Sequence, residues 1–278
     1  MYKVALAVSL AILGLAVPGF ASNLTIDLTG TGTATLLGGT AAGTILDATS
    51  APTSVGTGNI DSFVRLQANG SETGYNTDAT PPPDDDKAGS FTHSILVSSL
   101  DTTSKPGYYT FLLDINQTSS KPLLSLDDIQ LYTASSGSIS SSGTPAGATK
   151  IYDLQTATSC SSVTVSATCA TPSSNGRTEI LLDYANNSGS GNGFDMFLYV
   201  PAAVFSGVSP SSYLYLYSQF GLLGGNYATN DGFEEWAKVS GTPTVPEPMF
   251  VGIPLAALAS LGLLLRRRAQ AKSRDQLG

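Results

Sequence analysis

Apolar residues recur at every second position in several short stretches of this 278-residue chain. In "YYTFLLDIN" the alternation places Tyr109, Phe111, Leu113 and Ile115 on one face. Because successive side chains of a β-strand point to opposite faces, this period predicts strands with one face buried. No stretch before residue 245 keeps a helical period beyond a turn or two. The body of the chain is therefore restricted to β-structure.

The same alternation predicts further strands at residues 23–28, 60–67, 90–97, 123–133, 149–154, 178–184, 194–200, 212–220 and 233–239. Strands with apolar residues on both faces are typical of the central positions of two packed sheets. We expect an all-β fold, a single antiparallel β-sandwich that is jelly-roll-like, over residues 22–241. Residues 69–89, 134–148 and 185–193 are predicted loops, and the proline and aspartate triplets in 69–89 predict a mobile segment without burial.

The body of the chain is strongly acidic. Residues 22–245 contain 7 basic and 19 acidic residues, which gives a net charge of −12. A surface of this sign repels nucleic acid and anionic lipid. The charge therefore argues against nucleic-acid binding.

The N-terminal residues have the pattern of a secretory signal. Lys3 precedes an apolar run over residues 4–17, and Pro18-Gly19 ends it. Small residues then predict cleavage between Ala21 and Ser22, so that residues 1–21 form a signal peptide. A permanent membrane anchor is the alternative, but the run is short for a membrane span. Export of the body is the expected consequence.

The two cysteines lie close together in sequence, at Cys160 and Cys169, on either side of "SSVTVSAT". This intervening stretch alternates like a short strand or one arm of a hairpin. In an oxidising compartment such cysteines pair, and closing a loop of about ten residues stabilises by about 2–3 kcal/mol. Two cysteines without a nearby histidine supply too few ligands for zinc. The sequence therefore predicts a disulfide.

Few residues suit catalysis. The single histidine, His93, has the parity of apolar neighbours in the predicted strand 90–97, which favours a structural role. No G-x-S-x-G motif accompanies it. The carboxylate pairs Asp127-Asp128 and Glu234-Glu235 fall on predicted strands, where neighbours point to opposite faces and are badly placed to share a proton. We expect a protein without catalytic activity.

Calcium is the one cofactor that the sequence suggests. Asp84, Asp85 and Asp86 offer hard oxygen ligands, as do Asn226, Asn230 and Asp231. Neither group has the spacing of a D-x-D-x-D-G loop. Adjacent aspartates are also typical of solvated loops, and Asn-Asp-Gly is typical of a tight turn. Both interpretations stay open.

The C-terminal region, residues 242–278, combines a hydrophobic segment with basic residues. Residues 249–265 form 17 positions without a charge, which as a helix span about 25 Å, the lower limit for crossing a bilayer. Arg266, Arg267 and Arg268 then predict a stop to transfer, and residues 266–278 a cytoplasmic tail. We expect a transmembrane helix that holds the body on the far side of the inner membrane, in the periplasm.

Val245, Pro246, Glu247 and Pro248, followed by this helix and the arginine triplet, resemble the PEP-CTERM sorting signal of exported proteins in Gram-negative bacteria. The resemblance implies processing by exosortase, a membrane-embedded protease, and release or attachment of the body at the cell surface. It also implies an association with exopolysaccharide and biofilm. "SLDDIQLY" (125–132) and "NDGFEEWA" (230–237) are similar to stretches in other proteins with this tail, without implying an activity.

Three classes of function remain open. The first is a non-catalytic surface or extracellular-matrix protein. The second is a carbohydrate-binding module, which the tyrosines of strand 212–220 favour if their rings line a groove rather than a core. The third is a secreted hydrolase, which requires His93 or two carboxylates to meet in a pocket.

Overall fold

The computed structural model describes residues 24–49, 61–100, 104–162, 166–170, 176–186, 194–230 and 232–238. The predicted signal peptide with Ala21 and Ser22, the tail with Val245–Pro248 and Arg266–Arg268, and Asp231 lie outside these residues. The described residues contain strands and short 3-10 turns but no α-helix. Within them, no helix is long and apolar enough to span a bilayer.

The described ranges contain seventeen strands, with the 3-10 turns between some of them. They are β1 (Thr25–Asp27), β2 (Thr33–Leu37), β3 (Ile45–Asp47), β4 (Asp61–Leu66), β5 (Asn69–Gly70), β6 (Glu72–Tyr75), β7 (Ile95–Leu96), β8 (Tyr108–Asp114), β9 (Leu123–Ala134), β10 (Thr149–Asp153), β11 (Ser159–Ser162), β12 (Thr168–Ala170), β13 (Glu179–Asp183), β14 (Met196–Pro201), β15 (Tyr213–Phe220), β16 (Thr229–Asn230) and β17 (Glu234–Lys238). The predicted all-β fold is confirmed.

The strands form two large sheets and one small ribbon. The eight-stranded sheet has the order β12-β1-β13-β9-β15-β6, with β10 beside β9 and β7 beside β15. The seven-stranded sheet has the order β11-β2-β3-β14-β8-β17-β4, and β5 pairs with β16 in the ribbon. Among the described pairings only that of β1 with β13 is parallel, so the sheets are mostly antiparallel.

The two large sheets share one apolar core, as the sheets of a β-sandwich do. Leu126 and Leu216 of the eight-stranded sheet lie in one buried cluster with Phe111, Leu198 and Trp236 of the seven-stranded sheet. Alternate side chains of β8, β14 and β15 enter this core, which explains the period of two in the sequence. The indole of Trp236 also donates a hydrogen bond of 3.1 Å to Ser218 Oγ across the core.

A second, smaller cluster covers the opposite face of the eight-stranded sheet. It contains Tyr75, Tyr132, Tyr215 and Tyr217, all buried, with Ile139 packed against them. Two of their hydroxyl groups bind the connector 134–148: Tyr75 donates to Ser141 O at 2.6 Å, and Tyr215 donates to Ser136 O at 2.5 Å. These tyrosines therefore fix the connector to the sheet.

Two predictions made from the sequence are wrong in part, and several short strands were not predicted. Of the predicted strand 90–97, only Ile95–Leu96 is a strand. Residues 69–89 are not an unburied loop, because β5 and β6 lie there and Glu72, Tyr75 and Asp86 are buried. The alternation of the sequence also did not predict the short strands β2, β3 and β6, which are defined by pairing: β2 with β3, β3 with β14, and β6 with β15.

Candidate functional site

The predicted disulfide is present. Cys160 Sγ and Cys169 Sγ are bonded, with their Cα atoms 5.9 Å apart. Cys160 lies on β11 of the seven-stranded sheet and Cys169 on β12 of the eight-stranded sheet. The two cysteines therefore lie on strands of different sheets. The bond ties the two sheets together at one edge.

His93 does not lie on a strand face, contrary to the prediction. It precedes β7 in a turn, partly exposed, with Nδ1 3.2 Å from Ser90 O. Since a carbonyl oxygen only accepts, a hydrogen bond here requires a proton on Nδ1. The neighbouring Ser94 donates its hydroxyl to Asp78 Oδ2 at 2.6 Å, and its amide to Asp78 Oδ1 at 2.8 Å. Serine, histidine and aspartate are thus close together but not hydrogen-bonded in the order of a catalytic triad.

A recess of about 300 Å³ opens beside this turn. Its lining contains Pro82 and five residues with polar side chains: Thr77, Asp78, Thr80, Thr92 and His93. Its polar groups are engaged with the protein itself: Thr77 Oγ1 donates to Ile139 O at 2.6 Å, and Thr92 Oγ1 accepts from Arg65 N at 3.2 Å. The lining is therefore held in place by main-chain contacts.

The Asp127-Asp128 pair is buried in β9, and its two carboxylates have separate partners. Asp127 Oδ2 accepts from Ser125 Oγ at 2.9 Å and from Leu222 N at 2.8 Å. Asp128 Oδ2 accepts from Gln130 Nε2 at 2.6 Å and lies 3.4 Å from Arg177 Nη2. Burial raises the pKa of Asp127 to about 6, although both hydrogen bonds oppose the shift. These groups hold β9 against its neighbouring loops.

The Glu234-Glu235 pair likewise divides between two environments. Glu234 is fully buried and faces Glu72 of β6, and the two side chains hydrogen-bond to each other. Gln117 Nε2 donates to Glu234 Oε1 at 2.6 Å, and Ala68 N donates to Glu72 Oε2 at 2.8 Å. Burial, and then the charge of Glu234, raise the pKa of Glu72 well above its usual range. Sequence reasoning missed this partner because 162 positions separate the two glutamates.

Glu235 forms a second group with acidic neighbours and one cation. Its Oε1 is in a short contact with Arg65 Nε, and the guanidinium lies 3.4 Å from the ring centroid of Phe91. Asp114 lies opposite Glu235 in the register and hydrogen-bonds to Asp195. Burial, and then the charge of Glu235, raise the pKa of Asp114 to about 7. At the start of β17, Arg65 thus pairs with Glu235, while burial favours the protonated form of Asp114.

The residues proposed for calcium do not converge on one point. Asp84 accepts from Gly143 N at 2.7 Å, Asp85 from Thr73 N at 2.9 Å, and Asp86 from Tyr75 N at 3.1 Å. Asn230 accepts from Thr118 N and donates to Lys121 O, both at 2.8 Å, while Asn226 is exposed. In the part of the chain that the structure describes, no three acidic, histidine or cysteine side chains are grouped to hold a metal ion.

Aromatic side chains line the outer face of the seven-stranded sheet. Phe197 and Tyr199 of β14 point away from the core with parallel rings 5.7 Å apart, and Tyr108 of β8 lies 6.4 Å from Tyr199. Lys105 Nζ lies 4.6 Å from the ring centroid of Tyr199. All four side chains are partly exposed. We call this set the aromatic strip.

Comparisons of the chain with protein-family models, curated proteins and solved structures found no match. The described residues supply two accessible features, the recess beside His93 and the aromatic strip. They also supply two internal ones, the sheet-joining disulfide and the buried carboxyl groups.

Proposed function

We propose that this chain is an exported, non-catalytic protein of the cell surface or extracellular matrix, sorted through its C-terminal tail by an exosortase. The observation that carries the proposal is the Cys160–Cys169 bond. Such bonds persist in oxidising compartments outside the cytoplasm. The disulfide thus supports export independently of the N-terminal signal pattern. We also propose that the strands of the sandwich have a jelly-roll-like order.

The tail supplies the physical basis of sorting. Carrying each of the three arginines, Arg266–Arg268, into hydrocarbon costs roughly 2.5–3.5 kcal/mol on insertion scales, so they retain the C-terminus in the cytoplasm. Glu247 resists burial, and the prolines on either side of it disfavour helix. These properties leave an extended segment at the outer boundary of the membrane, where a membrane-embedded protease can bind it. Exopolysaccharide is the surface component with which the sorted body would associate.

Peptide mass spectrometry of surface and medium fractions from the native host tests this proposal. We expect mature protein that ends near Val245–Pro248 and lacks residues 249–278. Glu247→Ala should instead leave a larger species in the inner membrane. Glu247→Asp, which keeps the charge, is the matched control. Released protein that still contains peptides from residues 266–278 would refute sorting by this tail.

Carbohydrate binding is the second candidate function, and the aromatic strip favours it. The tyrosines of β15 do not, since Tyr215 and Tyr217 are buried beneath the connector 134–148. Rings on an outer sheet face can pack against the apolar faces of sugar rings, and Lys105 can donate to hydroxyl or carboxylate groups.

A glycan array with the full chain, compared with the Tyr199→Ala variant, tests carbohydrate binding. Loss of one ring contact should weaken binding by about two- to tenfold. Tyr227→Ala, a partly buried tyrosine outside the strip, is the control and should bind as the unchanged chain does. Binding that is unaffected by Tyr199→Ala would exclude the strip as the site.

A further inference from the structure

Glu72 and Glu234 join the two large sheets at one edge of the sandwich. Glu72 begins β6 in the eight-stranded sheet, and Glu234 begins β17 in the seven-stranded sheet. Their side chains are 2% and 0% exposed. Glu72 Oε1 and Glu234 Oε2 receive no hydrogen bond from any amide or hydroxyl group of the described residues. Two facing carboxyl groups in this position can be satisfied by one proton held between them.

The donors around the pair decide which glutamate holds the proton. Glu234 accepts from Gln117 Nε2 at 2.6 Å and from the main-chain N–H of Asn116, both of which stabilise a carboxylate. Among the residues that the structure describes, Ala68 N at 2.8 Å is the one amide that donates to Glu72. Glu72 is therefore the protonated partner and donates to the Glu234 carboxylate.

The charged groups nearby strengthen this assignment. Asp85 acts on Glu72, and Glu235 acts on Glu234, each with a negative charge. Asp114 and Asp195 add further acidic groups that also feel the charge of Glu234. The one cation that the structure places in this group, Arg65, is paired with Glu235. A second negative charge, on Glu72, would thus lack a compensating cation among the described residues.

We propose that Glu72 and Glu234 form a proton-dependent clasp, which holds the two sheets together at neutral and acidic pH and opens at alkaline pH. Loss of the shared proton places two carboxylates in contact in a buried site, where their repulsion is poorly screened. β5 and the start of β6 are released first, because the hydrogen bond from Ala68 N to Glu72 holds this segment to the clasp. The ribbon partner β16 loosens with it, since Thr229 Oγ1 donates to Ala68 O at 2.8 Å.

The sign of the pH dependence follows from the protonated state. The clasped form holds a proton that the open form, with an ordinary glutamate, releases above about pH 4.5. Raising the pH above that value therefore favours opening, by up to tenfold in the opening equilibrium per pH unit for one proton. The dependence ends once the pH exceeds the raised pKa of Glu72. Below about pH 4.5, both forms hold the proton and the clasp stays closed.

Hydrogen exchange on the full chain between pH 6 and 10 tests the proposal. Protection is measured for peptides covering residues 67–75 and 229–238, corrected for intrinsic exchange and referred to the central strand β9. We expect protection at 67–75 to fall by up to tenfold per pH unit in the unchanged chain. Glu72→Gln should abolish this fall, because its amide donates to Glu234 at every pH while its carbonyl oxygen still accepts from Ala68.

Glu179→Gln is the matched control, a buried glutamate on β13 that accepts from Thr25 Oγ1 at 2.8 Å. It should keep the pH dependence at residues 67–75. Glu234→Gln tests the other half of the clasp and should make the dependence weaker, because it removes the charge of Glu234 but leaves Glu72 buried. Protection that does not change between pH 6 and 10, or that falls equally in the unchanged chain and in Glu72→Gln, would overturn the proposal.

Discussion

Trp236 and Ser218 connect the two sheets inside the core, with indole Nε1 3.1 Å from Ser218 Oγ. Both residues are fully buried, and each lies on the strand next to an edge strand of its sheet, β17 beside β4 and β15 beside β6. A buried indole N–H without an acceptor is destabilising, so the two residues depend on each other. This polar contact fixes how one sheet lies on the other.

Removing either partner of this hydrogen bond should destabilise the fold. We expect Ser218→Ala to lower the free energy of unfolding by about 1–3 kcal/mol, because the indole N–H is then buried without an acceptor. Trp236→Phe should lower it further through the lost volume. The double variant should lose less than the sum of the two, by about 0.5–3 kcal/mol. Urea denaturation measures all four proteins, and additive losses would show that the contact carries no coupling.

The disulfide is predicted to stabilise the same sandwich at its edge. Replacing both cysteines by serine should lower the free energy of unfolding by about 2–3 kcal/mol, the value for a loop of this length. Reductant should lower the stability of the unchanged chain to that of the variant and leave the variant unaffected. Intact-mass analysis after alkylation without reduction should find no reacted thiol. Two alkylated thiols would contradict the bond.

Asp86 should make part of the stability depend on pH. Burial raises its pKa to about 8, and the charges of Asp84 and Asp85 add to the shift although the Tyr75 N–H opposes it. The folded chain then holds a proton that the unfolded chain releases above about pH 4, so its stability falls as the pH rises from about 4 to 8. The slope from this one group is up to about 1.4 kcal/mol per pH unit.

Asp86→Asn tests this dependence, because the amide keeps an acceptor for Tyr75 N but does not titrate. We expect its free energy of unfolding to fall less steeply with pH than that of the unchanged chain. Asp84→Asn places the same amide in the same turn and should keep the slope, since Asp86 still titrates there. Equal slopes in all three proteins would mean that Asp86 is ionised in the folded state at neutral pH.

The long strands could be predicted from the sequence because their burial pattern is local. β8, β9, β14 and β15 alternate or run continuously apolar, and each was identified to within about two residues. β2 reads "TATLL", with small and polar residues that give a weak signal. β6 reads "ETGY" and is a strand because it pairs with β15. Tertiary pairing decides such segments, and alternation in the sequence does not record it.

The side-chain groups of the candidate site were less predictable than the strands. The prediction of the disulfide needed only two cysteines close together in sequence and the expectation of export. The Glu72–Glu234 pair needed knowledge of which strands meet at an edge, and Glu72 lies in a segment that reads as a polar loop. His93 was misplaced because its apolar neighbours imitate a strand, whereas the chain turns there to bind Phe63 O.

Gly232 gives the last prediction, because it sets the entry of β17 and hence the position of Glu234. A Cβ atom built on Gly232 would lie 1.4 Å from Asn116 O, so no other residue fits without main-chain movement. Gly232→Ala should therefore lower the free energy of unfolding by about 3 kcal/mol or more, by overpacking against main-chain atoms. Gly30→Ala is the control, since its Cβ would meet Ser166 Cβ at 3.1 Å, and it should lose about 1 kcal/mol or less. Urea denaturation compares the two, and equal small losses would show that the Asn116 main chain moves aside at little cost.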